Sequence, residues 1–202
     1  MRRGAGAFIL LSEDGVVLMS KVVVVYHSGY GHTQRMAQAV AEGAGAELLA
    51  IDADGLLPEG GWEALAAADA ILFGSPTYMG SVSWQFKRFA DASSKVWFAS
   101  GWKNKIAGGF TNSASPSGDK QNTLVTLNTL AMQHGMLWVS LGVMPSNAKA
   151  AGPNDSNALG SYMGAMARSP SDASAGEMFA GDLEGARGYG ARVAEMAARF
   201  AR

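Results

Sequence analysis

The chain has 202 residues and a mass of 21.0 kDa, with 48% hydrophobic and 16% charged residues, which is enough apolar surface for one well-packed domain. A formal net charge of −1 offers neither a basic footprint for nucleic acid nor an acidic excess for docking on a basic partner, so small molecules are the expected ligands. With no cysteine there is no disulfide framework, thiol nucleophile or thiolate metal site, which points to a cytoplasmic protein relying on a bound cofactor.

Residues 1–18 read as an N-terminal extension ahead of Met19, and residues 19–202 as a single domain. Arg2-Arg3 and the apolar residues after them are interrupted by Ser12-Glu13-Asp14-Gly15, which argues against a signal peptide. Asp14-Gly15 between strand-like flanks at 8–11 and 16–18 predicts a hairpin, the alternative being disorder. No stretch reaches the roughly 18 apolar residues of a membrane span, so no membrane partner is expected. Five short apolar blocks, 22–26, 48–51, 70–74, 106–111 and 137–141, read as buried strands. Helical spacing falls between and after them. Residues 33–42 gather Met36, Ala37, Val40 and Ala41 on one face, 83–93 gather Phe86, Phe89 and Ala90, and 123–133 gather Leu124, Leu127 and Leu130. The last helix, about 183–200, is expected to bury Ala186, Val193, Ala197 and Phe200. This alternation predicts an α/β fold: a doubly wound, five-stranded parallel sheet with helices on both faces and ligands beyond the carboxyl ends of the strands.

Three loops at those strand ends carry the chemistry. The first is Ser28-Gly29-Tyr30-Gly31-His32-Thr33, the second Ser75-Pro76-Thr77-Tyr78-Met79-Gly80, and the third runs from Thr111, Asn112, Ser113, Ala114 and Ser115 to Gly118. They are rich in hydroxyls, glycine or proline, and none supplies a Lys or Arg before its helix begins. A phosphate here is held by neutral donors and a helix dipole, which suits a monophosphate. No Gly-Lys pair exists for a triphosphate loop, and Gln34 stands where a dinucleotide fingerprint needs its third glycine. Tyr26 and Tyr30 stand where a hydrolase elbow around Ser28 needs its two glycines, and His27, His32 and His134 have no metal-ligand spacing, so no metal is expected.

The eight residues from Tyr26 to Thr33, the run Gly74-Ser75-Pro76-Thr77-Tyr78-Met79-Gly80, Trp97, Phe110-Thr111-Asn112-Ser113 and His134-Gly135-Met136 together resemble the flavodoxin-like NAD(P)H:quinone oxidoreductases of the WrbA (tryptophan-repressor-binding-protein) family. The resemblance runs from about Lys21 to the last helix. It implies a flavodoxin-like sheet of order 2-1-3-4-5, bound FMN, NADH or NADPH as electron donor, and two-electron reduction of a small quinone through the flavin. It also implies a homo-oligomer, dimer or tetramer, with sites completed near subunit interfaces.

Carried over residue by residue, the resemblance gives the FMN phosphate to Ser28, Gly29, Tyr30, Gly31, His32 and Thr33. It sets Pro76, Thr77, Tyr78 and Met79 beside the ring, and Thr111, Asn112, Ser113, Ala114 and Ser115 along the ribityl chain and ring, with His134 near the flavin. Trp97 and Tyr30 border the substrate space. No side chain is expected to act as a catalytic acid or nucleophile, because the flavin carries the chemistry. Two departures stand out. Tyr78-Met79 replaces the Arg-Phe common in the family, and Pro116 and Asp119-Lys120 are foreign to its third loop. Two other classes remain open on the sequence: a one-electron flavodoxin-type carrier, and a non-catalytic or redox-responsive flavin-binding protein.

Overall fold

The computed structural model describes residues 20–200 and, ahead of them, the backbone of a short antiparallel pair, β1 (Leu10–Ser12) and β2 (Gly15–Val17), which sets Leu10 opposite Val17. The main sheet begins with β3 (Val22–His27), all six of whose residues are buried. Four successive valines are stiff at χ1 and suit a pleat covered on both faces. There follow α1 (His32–Ala44), β4 (Glu47–Ile51), α2 (Gly61–Ala67), β5 (Ala70–Tyr78), β6 (Ser81–Val82), α3 (Trp84–Ala92), α4 (Ser94–Phe98), β7 (Ile106–Ser113), α5 (Lys120–Gln133), β8 (Leu137–Trp138), β9 (Ala165–Arg168), a 3-10 turn (Ala175–Glu177) and α6 (Ala180–Phe200).

The sheet order is β4-β3-β5-β7-β8, with every one of these pairings parallel, which is the expected 2-1-3-4-5 order. Alternate residues of β3 feed two cores. Val22, Val24 and Tyr26 pack with Met36 and Val40 of α1 and with Ala186, Tyr189 and Val193 of α6. Val23 and Val25 pack with Phe86 and Phe89 of α3, Leu124 and Leu127 of α5, and Trp102. Helices α1 and α6 touch backbone to backbone: a Cβ on Gly43 would sit 1.9 Å from the Arg187 carbonyl oxygen, and one on Gly190 2.0 Å from that of Val40. No helix among the described residues is long and apolar enough to cross a membrane.

The fifth strand position departs from expectation. The block 137–141 yields only the two residues of β8, paired with Ile106 and Ala107, and a Val139 amide bonded to the Ala107 carbonyl at 2.8 Å. The chain then leaves the sheet and returns as β9, which pairs with Phe110 to Ser113 on the same edge. Between the two halves, the Tyr189 hydroxyl accepts from the Gly109 amide at 3.2 Å and donates to the Val139 carbonyl at 2.7 Å. A side chain of α6 thus satisfies backbone groups that an unbroken strand would have paired.

One further correction concerns the last helix. Phe200, expected in the core, is 59% exposed, because α6 runs past the edge of the packed layer. Trp102 is fully buried, but Trp84 and Trp97 are largely exposed.

Candidate functional site

A cavity of about 690 Å³ opens at the carboxyl ends of β3, β5, β7 and β9. Its first wall is the β3–α1 turn, with Tyr30, His32 and Thr33 facing inward. Gly31, the N-cap residue of α1 at φ 88°, has no side chain with which to cap it, so the amides of His32 and Thr33 and the positive end of a 13-residue helix remain for an anion. The Ser28 hydroxyl accepts from the amides of Gly31 and Gln34, each at 3.1 Å, which fixes the turn and leaves the Ser28 proton to donate.

The second wall corrects an expectation. Residues 75–80 are not a free loop: β5 continues to Tyr78 and folds back through Met79-Gly80 into β6, with Thr77 opposite Val82. Both turn residues have positive φ, 47° and 79°, as a two-residue hairpin requires. Pro76, Thr77 and Tyr78 line the cavity, whereas Met79 sits at the hairpin tip, fully exposed, and does not. The Tyr78 ring meets Tyr30 edge to face at 6.2 Å, and a Cβ on Gly29 would lie 2.5 Å from the Tyr78 hydroxyl. Burial, and then the neighbouring Tyr30, push the Tyr78 phenol above its ordinary value, so it stays protonated at neutral pH.

The third wall is the end of β7, where Asn112, Ser113 and Ala114 face the cavity. Several hydroxyls expected to reach a ligand are instead stitched together. Thr77 donates to Thr123 at 2.8 Å, so the Thr111 hydroxyl, also 2.8 Å away, donates to Thr77. Thr33 donates to Asn112 Oδ1 at 2.5 Å, and Asn112 Nδ2 donates to Ser169 at 2.7 Å. Ser113 accepts from Lys120 Nζ at 2.9 Å, and Nζ also reaches the Ser115 carbonyl at 2.6 Å. These bonds tie α1, β5, β7, α5 and the segment after β9 into one rigid rim, a role for the polar residues that the sequence did not disclose.

A fourth wall went unforeseen: Ser169, Ser171, Ala173 and Ser174, between β9 and α6. His32 Nε2 donates to the Ala173 carbonyl at 2.8 Å, joining this wall to the first. The signal was present in the hydroxyl-rich run at 169–174 leading into the capping box Ser174-x-x-Glu177.

Trp97 and His134 are not brought to this cavity. They share a separate depression with Phe98, Lys103 and Gly135. His134 is the C-cap residue of α5, at the amino end of β8, and its ring lies 4.3 Å from that of Trp102. Ser93 gives its proton to the Ala90 carbonyl, so His134 Nε2 donates to Ser93, at 2.8 Å. His27 is buried on the strand as expected of a packing residue. Among the described residues no three His, Asp or Glu side chains gather as a metal site would require.

Known proteins match this architecture along most of the chain. The family model described as NADPH-dependent FMN reductase matches residues 61–150. The chain is 58% identical to "Flavodoxin FldP" of Pseudomonas aeruginosa, over 88% of this chain and 97% of that protein. It is 36% identical to an "NAD(P)H dehydrogenase (quinone)" of Geotalea uraniireducens, over 90% of this chain and all of that one. A crystal structure of a flavodoxin, WrbA-like protein from Agrobacterium tumefaciens is 59% identical and superposes with a TM-score of 0.75, covering 89% of this chain and 98% of that one. A flavodoxin sheet order, a cavity built on a helix N-terminus, and full-length relatives at this identity lead to one conclusion: the chain belongs to the WrbA-like flavodoxin family.

Proposed function

We propose that the cavity binds FMN and that the protein is a flavin oxidoreductase drawing electrons from NADH or NADPH and passing them to a quinone. The observation that carries this reading is the meeting, in one cavity, of the N-terminus of α1 and an aromatic pair, Tyr30 and Tyr78. The donor set fits a phosphomonoester at one end and a flat ring at the other. The His32 and Thr33 amides and the Ser28 proton suit the phosphate, while Pro76, Tyr30 and Tyr78 offer apolar faces to the ring. When bound, FMN supplies two-electron redox chemistry that no side chain of this protein provides. The chain's own work is placement: the stitched rim of Thr33, Thr77, Thr111 and Asn112 would give bound FMN a rigid seat, and the hairpin from β5 to β6 would shield one side of it.

The relatives named as quinone dehydrogenases support the acceptor class, and the FMN reductase family match supports the nicotinamide donor. Anaerobic mixing of the FMN-loaded protein with NADH or NADPH is expected to bleach the flavin, and added benzoquinone to restore its colour. Absence of bleaching with both donors overturns the enzyme reading. A second reading, an electron carrier, draws on the relative named as a flavodoxin. Steady-state quinone turnover separates the two, since a carrier turns over only when a partner reductase is added.

The exposed aromatics Trp84, Trp97 and Phe98, on and beside α3 and α4, support self-association into a homo-oligomer, a dimer or tetramer. Light scattering that returns a 21 kDa mass excludes it.

A further inference from the structure

Neither Lys nor Arg nor a carboxylate is among the residues lining the cavity. Directly behind the third wall, however, lies Lys120, with no exposed surface at all. Lysine is among the costliest side chains to bury, and here it is also the first residue of α5, where the helix dipole opposes a cation. Its ammonium is held by Ser113 Oγ and the Ser115 carbonyl, both in the loop whose residues Ser113 and Ala114 face the cavity. If the loop needed only a tether, a neutral amide donor would provide one without burying a charge.

The charged groups around Lys120 come from two other elements. Asp182 of α6 is the nearby carboxylate and Arg168 of β9 the nearby cation. Asp182 is itself buried; it accepts the Arg168 amide at 2.8 Å and stands 3.8 Å from Arg168 Nε. Two cations against one carboxylate leave one net positive charge behind an otherwise uncharged wall. In so dry a setting that charge is weakly screened.

We propose that Lys120 is an electrostatic positioning residue of the FMN site, clamping residues 113–115 against the cavity and placing a positive charge behind them that raises the reduction potential of the bound flavin. The proposal rests on the FMN reading above. Reduction adds electrons to the ring, so a buried cation behind its wall favours the reduced cofactor over the oxidised one. Burial lowers the Lys120 pKa to about 8, so the charge is in place at neutral pH and drains away in mild alkali.

The test is the midpoint potential of FMN bound to wild type, Lys120→Gln, Lys120→Arg and Asp182→Asn, by dye equilibration, alongside FMN affinity by fluorescence quenching. Lys120→Gln is expected to weaken binding of reduced FMN about tenfold relative to oxidised FMN, a fall of about 30 mV for a two-electron couple. Lys120→Arg is expected to hold the wild-type potential, and Asp182→Asn, which removes the opposing charge, to raise it. The potential of wild type relative to free FMN is expected to fall further above about pH 8, but that of Lys120→Arg is not. A Lys120→Gln protein that binds FMN normally at the wild-type potential overturns the proposal, as does an equal fall in the Arg and Gln variants. Should the Lys120 variants not fold, a wild-type potential unchanged in Asp182→Asn overturns it. A wild-type protein that takes up no FMN overturns the reading of the site on which it stands.

Discussion

At the scale of single residues, the cavity is shaped by what two positions lack or endure. Gly29 has no Cβ, and that space belongs to the Tyr78 hydroxyl, 2.5 Å from where a Cβ would be. Gly29→Ala pushes on the far end of a flexible side chain, so it is expected to change stability by under about 0.5 kcal/mol. It should nonetheless weaken FMN binding several-fold by displacing Tyr78, which a fluorescence titration reads directly. Met79 endures the opposite problem, a left-handed backbone (φ 47°) carried by a side chain that contacts nothing useful. Met79→Asn relieves that strain and is expected to stabilise the hairpin by up to about 1 kcal/mol, seen as a raised thermal midpoint. The hydroxyls at 33, 77, 111 and 113 were visible in the sequence as a polar cluster, but their partners were not. Whether a threonine points at a ligand or at another threonine is decided by strands that are distant in sequence.

At the scale of elements, the break in the fifth strand explains why a tyrosine lies buried at the centre of α6. Tyr189→Phe leaves the Gly109 amide and the Val139 carbonyl without the partner each has now, which is expected to cost about 1–3 kcal/mol in urea denaturation. Strands β3, β4, β5 and β7 were legible because each is a short apolar block with turn residues at its ends. β9 was not, because Ala-Met-Ala-Arg has no β-branched residue and a residue pattern too short to show a period. The two-residue β6 and the five-residue α4 are likewise shorter than any periodicity. The early end assigned to β5 has a different origin: Pro76 reads as a strand breaker, but here it lies in register with Asn112 of β7 as the strand runs on to Tyr78.

At the scale of the whole molecule, two histidines couple stability to acidity. His27 and His134 are buried at opposite ends of the sheet, and burial lowers the pKa of each below its ordinary 6.5. The unfolded chain therefore takes up protons near pH 6.5 that the folded one refuses. Their contribution is full above that pH and is lost as pH falls through it, at no more than about 1.4 kcal/mol per pH unit for each histidine. Urea midpoints of the FMN-free protein are expected to be lower at about pH 5.5 than at about pH 7.5, and equal midpoints would rule the coupling out. His134 also shows the limit of family resemblance at this scale: its neighbours in sequence place it by a motif, but the end of α5 carries it to the far side of the sheet from the cavity within one chain.

The wall at Ser169, Ser171, Ala173 and Ser174 has a consequence for how the protein is made. The His32 side chain that meets Ala173 is separated from it by 141 residues. While a ribosome is still translating the middle of the chain, the phosphate end of the cavity already exists as sequence, but the surface that closes over it has not been synthesised. The complete cavity therefore requires chain from both ends of the domain, and no fragment that stops short of 169–174 holds all four of its walls.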